Sequence, residues 1–149
     1  MPPEFSLQTV LDYRTTIVES LEMELGQLLN HKQKLEESLR MAELIEFELW
    51  EQLTREQIGF MDLVHIDQIR IQLENLEKEK KQLKAALQEQ LMLIERKREE
   101  VVLARQDEET LEIVKEKEIL AYQEKVKKQE QKIQDDIYIA QAYQARQEI

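Results

Sequence analysis

The fold of this chain is decided by residues 7–53, which read LQTVLDYRTTIVESLEMELGQLLNHKQKLEESLRMAELIEFELWEQL. Apolar side chains recur here at alternating steps of three and four residues, a spacing that places them along one side of an α-helix. The stripe consists of Leu7, Leu11, Val18, Leu21, Leu25, Leu28, Leu35, Leu39, Ala42, Leu49 and Leu53. Because such a stripe stays buried only when two helices wind around each other, it predicts a coiled-coil helix.

The same spacing returns after a short break and predicts a second helix. Its stripe consists of Ile66, Ile69, Leu73, Leu76, Leu83, Leu87, Ile94, Val101, Ala104 and Leu111. The break runs from Thr54 to Asp62, with Gly59 suited to a helix C-terminus and Asp62 to the next N-cap. We therefore predict an all-α fold, a long antiparallel two-helix coiled coil or helical hairpin with a longer second helix. Helix 1 should cover about 6–56, the turn about 57–62 and helix 2 about 63–147.

Composition supports this class and excludes several functions. The 149 residues include Gly 2, Pro 2 and no cysteine, so chain breakers are rare and disulfides absent. The net charge of -11 repels phosphate backbones and anionic lipid headgroups, which argues against nucleic acid as a partner. With no apolar run long enough to insert into a bilayer and no secretory signal at Met1-Pro2-Pro3-Glu4, we expect a cytoplasmic protein.

The start of helix 1 carries two capping signals. Ser6 is suited to the N-cap position, and Phe5 before it is suited to pack on Val10 as a hydrophobic staple. Further along, Arg14, Lys32 and Glu46 interrupt the apolar stripe. We interpret these charges as residues that fix the alignment of the two helices, although their long stems could also simply reach out to solvent.

Helix 2 should outlast helix 1 and leave a C-terminal overhang. Folding back at Gly59 brings Leu7 level with Leu111, so the overhang is expected to begin at about residue 112. The stripe changes phase at this point and resumes from Ile119 to Tyr143. Since an isolated helix gains nothing in water from an apolar stripe, the overhang should bind a partner, unless it pairs with the same segment of a second copy or frays.

The opening run Phe5-Ser6-Leu7-Gln8-Thr9-Val10-Leu11-Asp12-Tyr13-Arg14 resembles the start of the flagellar FliJ family. The length, the central turn and the longer second helix with Tyr122 and Tyr143 are similar to the family as well. The acidic balance of the chain and the Asp135-Asp136 pair depart from it. The resemblance implies a non-enzymatic stalk or adaptor of a flagellar or type III protein export apparatus, required for flagellum biogenesis and motility, with a chaperone-escort role.

Two partners are implied by the resemblance, a hexameric export ATPase and a membrane protein of the export gate. Such a protein would be cytoplasmic and peripherally associated with the membrane apparatus, without inserting into the membrane. The implied ATPase-binding residues are Leu7, Leu11, Arg14, Ile119, Tyr122, Val126, Ile133, Ile137, Ala140 and Tyr143. The implied gate contacts are Leu73, Leu76 and Leu83, each of which is equally explained as part of the helix 2 stripe, the interpretation we favour.

No residue pattern indicates catalysis or a ligand. His31 and His65 stand alone, without cysteines or paired carboxylates at metal-ligand spacing, so we expect no metal, no cofactor and no small-molecule ligand. A two-helix rod offers no cleft in which a glutamate could become a general acid. The aromatic and methionine side chains near the turn, Phe47, Trp50, Phe60 and Met61, should plug the end of the hairpin rather than anchor a partner.

Two other functions remain open on the sequence alone. A holdase chaperone similar to prefoldin also uses antiparallel coiled coils, but the segment from Thr54 to Asp62 is short for the β-hairpins of that family. A homo-oligomeric coiled-coil adaptor would pair its C-terminal segments with each other. Co-purification with an export ATPase would favour the export function, and a concentration-independent monomer would argue against the adaptor.

Overall fold

The computed structural model describes residues 4–58 and 63–147 and contains two helices. Helix α1 is Gln8–Ile58 and helix α2 is Leu63–Gln147. The two helices pack against each other, which confirms the all-α helical hairpin predicted from the apolar period. The predicted turn residues Gly59, Phe60, Met61 and Asp62 lie outside the described residues.

Contacts divide the chain into two units. The central unit is Glu19–Val102, and the terminal unit combines Met1–Val18 with Leu103–Ile149.

The core of the central unit is a narrow seam between the two helices. Leu53, Ile66 and Ile69 form a buried cluster against which Leu49 and Leu73 pack. Ile69 retains only 2% of its accessible surface. Every position that the sequence assigned to the apolar stripe in this unit is buried or half-buried, so the predicted seam is confirmed there.

Polar pairs across the seam fix how α1 aligns with α2. Glu46 of α1 accepts a hydrogen bond from the Lys80 ammonium at 2.9 Å, and Glu24 accepts one from Lys97 at 2.8 Å. The partners of Glu46 and Glu24 lie in reverse order along α2, which demonstrates the antiparallel direction. Lys32 pairs instead with Glu36 of its own helix at 3.6 Å. The alignment role predicted for Glu46 therefore has a structural basis, and that for Lys32 does not.

The sequence missed one alignment residue, Gln90. The residue is 6% exposed, and its side-chain amide donates a 2.9 Å hydrogen bond to the backbone carbonyl of Leu28. A slide of one helix along the other would leave this amide buried without its acceptor, at a cost that apolar seam residues do not impose. Gln90 thus penalises incorrect alignments more than it stabilises the correct one.

In the terminal unit, the first turns of α1 lie on α2 through Leu11 and Val18, each 6% exposed. The Arg14 guanidinium lies 3.5 Å from the Asp107 carboxylate of α2. The seam position predicted for Leu7 is wrong, because Leu7 is 41% exposed and Phe5 is buried at 8%. Helix α1 begins only at Gln8, so the helical period does not govern the residues before it.

The capping interpretation also requires correction. The Ser6 hydroxyl donates to the Glu118 carboxylate of α2 at 3.4 Å. The Leu7 carbonyl accepts a hydrogen bond from the Leu11 N–H at 2.9 Å and α1 begins at Gln8, so Leu7 rather than Ser6 occupies the N-cap position. Val10, the expected staple partner of Phe5, is 42% exposed. The segment before α1 therefore turns its side chains towards α2 rather than back onto its own helix.

Candidate partner-docking site

The candidate site begins with a groove between the start of α1 and the adjoining part of α2. The groove has a volume of about 780 Å³ and is lined on one side by Phe5 and the first turn of α1, and on the other by Ile119 and Tyr122. Phe5 is the buried apolar residue at this end of α1. Because Phe5 and Ser6 reach α2 this far along, α2 remains covered beyond residue 112, where the sequence placed the start of the overhang.

The uncovered part of α2 starts after Val126. Tyr122 and Val126 are half-buried, whereas every described residue from Lys127 to Gln147 is exposed. The apolar stripe nevertheless continues there, with Ile133 at 58%, Ile137 at 53% and Tyr143 at 62% exposure. We call Ile119, Tyr122, Val126, Ile133, Ile137, Ala140 and Tyr143 the front stripe.

The front stripe is thus an apolar helix face that passes from partial cover to full exposure. The steps from Tyr122 to Val126 and from Ile133 to Ile137 are of four residues, so these side chains share one side of α2. Ile139 lies two residues after Ile137 and is therefore about 200° around the helix from it. Ile139 is 65% exposed and provides a control residue on the opposite side.

The charges around the front stripe differ from those of the whole chain. Between residues 124 and 147 stand five basic residues, Lys125, Lys127, Lys128, Lys132 and Arg146, and four acidic residues, Glu124, Glu130, Asp135 and Asp136. The whole chain carries a net charge of -11. The overhang is therefore the part of an acidic protein that can approach an acidic surface with little repulsion.

The predicted contacts on α1 fall into different environments. Leu7 is exposed, and Arg14 is half-buried in its ion pair with Asp107. Leu11 is 6% exposed and belongs to the contact between α1 and α2. A partner can therefore contact Leu7 and Arg14 directly. Leu11 would contribute only by holding α1 against α2.

The candidate gate residues lie in the intramolecular seam of the central unit. Leu76 is 8% exposed, Leu73 packs on the cluster of Leu53, Ile66 and Ile69, and Leu83 is half-buried. Their spacing is that of the seam, as favoured from the sequence. A partner could touch the edges of Leu73 and Leu83 but not Leu76 without separating the helices.

The plugging role expected for the aromatic residues of α1 is wrong for two of them. Phe47 is 62% and Trp50 is 54% exposed, and both line a shallow hollow on the surface with Glu51, Thr54 and Arg55. They directly follow the seam positions Glu46 and Leu49, about 100° further round α1, so neither side chain closes the end of the hairpin. Phe60 and Met61 lie outside the described residues.

Two lysines of the central unit have a perturbed pKa. The hydrogen bond to Glu46 raises the pKa of Lys80, and hydrogen bonds to Glu24 and Glu100 raise the pKa of Lys97. In both cases the carboxylate favours the charged ammonium. These shifts belong to the helix pairing and not to the front stripe.

The described ranges 4–58 and 63–147 contain no group of three or more histidine or acidic side chains arranged to hold a metal ion. Over the same residues, neither helix has a segment that is long and apolar enough to cross a membrane.

A helical hairpin with an exposed apolar stripe on its longer arm places the chain among the all-α coiled-coil proteins. The comparison with protein families is more specific. The family model described as flagellar FliJ protein matches residues 3–148, nearly the whole chain. The chain belongs to the FliJ family and is a flagellar export-related protein. Searches of curated proteins and of solved structures found no match.

Proposed function

We propose that this chain is a non-enzymatic stalk of the export apparatus that docks its front stripe in the ring of a hexameric export ATPase. The observation that carries the proposal is the continuation of the apolar stripe through Ile133, Ile137 and Tyr143, where α1 no longer covers α2. Apolar side chains that are exposed to solvent do not stabilise the free chain. Their spacing along one helix face lowers the free energy only when a partner buries that face.

The size of the front stripe indicates that docking uses more than the overhang. Burying one isoleucine completely is worth about 1.5–3 kcal/mol, and these side chains already have part of their surface covered. Association of two proteins costs about 4–15 kcal/mol in lost freedom. Ile133, Ile137 and Tyr143 alone would therefore bind weakly, so we expect the groove at Phe5, with exposed Leu7 beside it, to contribute to the same contact.

The proposal extends to a second partner, the membrane protein of the export gate. The family resemblance points to the early part of α2 for this contact, at Leu73, Leu76 and Leu83. Since Leu76 is buried, the edges of Leu73 and Leu83 are the parts that such a partner would touch. In this arrangement the chain is cytoplasmic, peripherally associated with the membrane apparatus, couples the ATPase ring to the gate, and could accompany export chaperones between them.

The docking proposal is tested by changing the front stripe and the opposite side of the same helix. Ile133→Gln with Ile137→Gln removes two apolar contacts while keeping a residue with good helix propensity. Ile139→Gln is the matched control, because Ile139 is equally exposed and faces the other way. The full-length variants are titrated against the export ATPase by isothermal calorimetry, with circular dichroism as a check on helix content.

The expected result is a loss of affinity of about 10-fold or more for the double variant and less than about 2-fold for Ile139→Gln. Equal effects of the two variants would contradict docking through the front stripe. Analytical ultracentrifugation of the unchanged chain measures its oligomeric state and distinguishes the stalk from a homo-oligomeric adaptor. A dimer that is broken by Ile133→Gln with Ile137→Gln would favour the homo-oligomeric adaptor instead.

A further inference from the structure

The terminal unit has a second apolar face, on the side of α2 that points away from α1. It comprises Leu103, Thr110, Ile113, Val114, Leu120 and Ala121, which we call the back stripe. Leu103 is 62%, Ile113 46%, Val114 41% and Leu120 55% exposed. The front stripe does not account for these residues.

The helical geometry separates the back stripe from the contact with α1. Ile113 lies two residues after the half-buried Leu111, and Leu120 lies two residues before the half-buried Tyr122. Two residues correspond to about 200° around an α-helix, so both side chains point away from α1. Ile113 and Leu120 are seven residues apart, the repeat of a coiled-coil seam.

The surface of the back stripe is suited to close packing. A hollow of about 410 Å³ beside Leu120 is lined by Ala121, Gln123, Glu124 and Lys127. Thr110 donates its hydroxyl to the Gln106 carbonyl at 2.8 Å, so its polar group is already satisfied within the helix. A side chain from another helix could enter the hollow beside Leu120, and a helix that covers Thr110 would not leave its hydroxyl without a partner.

The charges beside the back stripe indicate the kind of partner. Glu109 and Glu116 stand on one flank. On the other stand Asp107, which pairs with Arg14 of α1, and Glu118, which accepts a hydrogen bond from Ser6. Lys117 stands on the stripe itself, and Glu124 and Lys127 of opposite charge both line the hollow beside Leu120. A second copy of this chain would bring the same acidic flanks, which repel each other in either direction of pairing, whereas lysine or arginine flanks would attract.

We propose that the back stripe binds an amphipathic α-helix of another protein, one whose apolar face is flanked by lysine or arginine. This surface is distinct from the front stripe, and it does not depend on docking to an ATPase. From Leu103 to Leu120 it extends about 26 Å, which an α-helix of about 18 residues would cover.

The test uses the full chain and a synthetic helical peptide of about 18 residues, with leucines at three- and four-residue steps and lysines on both flanks. A second peptide has the same leucines and glutamates in place of the lysines. Binding is measured by fluorescence anisotropy at low and at high salt. The variants are Ile113→Gln with Leu120→Gln, and the control is Ile133→Gln with Ile137→Gln on the front stripe.

We expect the lysine peptide to bind at least about 10-fold more tightly than the glutamate peptide, and the difference to shrink at high salt. The Ile113→Gln and Leu120→Gln variant should lose about 10-fold or more, and the front-stripe control less than about 2-fold. Equal binding of the two peptides, or loss in the control alone, would overturn the proposal. So would self-association of the chain that these two substitutions abolish, since it would make a second copy the occupant.

Discussion

The seam assignment leads to a sharp contrast between two isoleucines of α2 that stand two residues apart. Ile69 is 2% exposed and contributes to the cluster with Leu53 and Ile66, whereas Ile71 is 56% exposed. Replacing each in turn by alanine makes the same chemical change on opposite sides of one helix. We expect Ile69→Ala to destabilise the chain strongly and Ile71→Ala to leave its stability nearly unchanged.

The magnitude follows from the burial of the two side chains. Truncation of a buried isoleucine to alanine typically costs about 2–5 kcal/mol, made up of lost transfer free energy and the cavity left behind. The seam is one layer thick, so its neighbours can relax into the space, and we expect about 2–3 kcal/mol for Ile69→Ala. For Ile71→Ala the higher helix propensity of alanine offsets the small loss of contact, giving a change within about 0.5 kcal/mol.

The assay is urea unfolding followed by circular dichroism, which reports helix content directly. With a urea dependence of about 2 kcal/mol per molar, the unfolding midpoint of Ile69→Ala should fall by about 1–1.5 M. The Ile71→Ala midpoint should stay within about 0.3 M of the unchanged chain. Equal midpoints for the two variants would mean that α2 does not bury the face to which Ile69 belongs, and the seam would have to be reassigned.

Two further predictions concern the central unit. Gly26 lies inside α1, and no atom lies within 4 Å of the position that a Cβ would take. Gly26→Ala should therefore raise the free energy of unfolding by about 0.5–1 kcal/mol in the same urea assay. A lower unfolding midpoint would show that the space is occupied. The Lys80 pKa is raised from 10.5 in the folded chain, so the stabilisation from Glu46 is complete below pH 10.5 and is lost as the pH rises through the raised value. The difference in unfolding midpoint between the unchanged chain and Glu46→Gln should accordingly be constant between neutral pH and about pH 10 and decrease above that; a difference that grows with pH would contradict this pairing.

The sequence predicted the features that depend on helical period. The alternation of three- and four-residue steps located the seam of the central unit, because burial on a two-helix interface requires that spacing. Long uninterrupted stripes also made the number of helices and their antiparallel direction predictable. The exposed front stripe from Ile133 to Tyr143 belongs to this group, since a period in the sequence persists whether or not a partner covers it.

The features that the sequence did not predict depend on alignment or lie outside the helical period. Two contacts depend on which residues stand opposite each other, namely Glu46 with Lys80 and Gln90 with Leu28. An apolar stripe does not determine this register, because apolar side chains can pack in several alignments of the two helices. Phe5 is buried beside α2 and Leu7 is exposed, the reverse of what a seam beginning at Leu7 predicts, because α1 begins only at Gln8. Phe47 and Trp50 were expected to plug the end of the hairpin because they stand near the turn, yet both are more than half exposed, since the seam runs through their neighbours Glu46 and Leu49.

Trp50 is the single tryptophan of the chain, and its indole is 54% exposed. The fluorescence emission maximum of Trp50 should already be that of a hydrated indole in the native protein. Denaturation should therefore shift this maximum very little. Any molecule that settles over this side of α1 would shield the ring from water and shift its emission to shorter wavelength. The emission wavelength of Trp50 should therefore report whether another molecule covers this part of α1, and it should be nearly insensitive to unfolding.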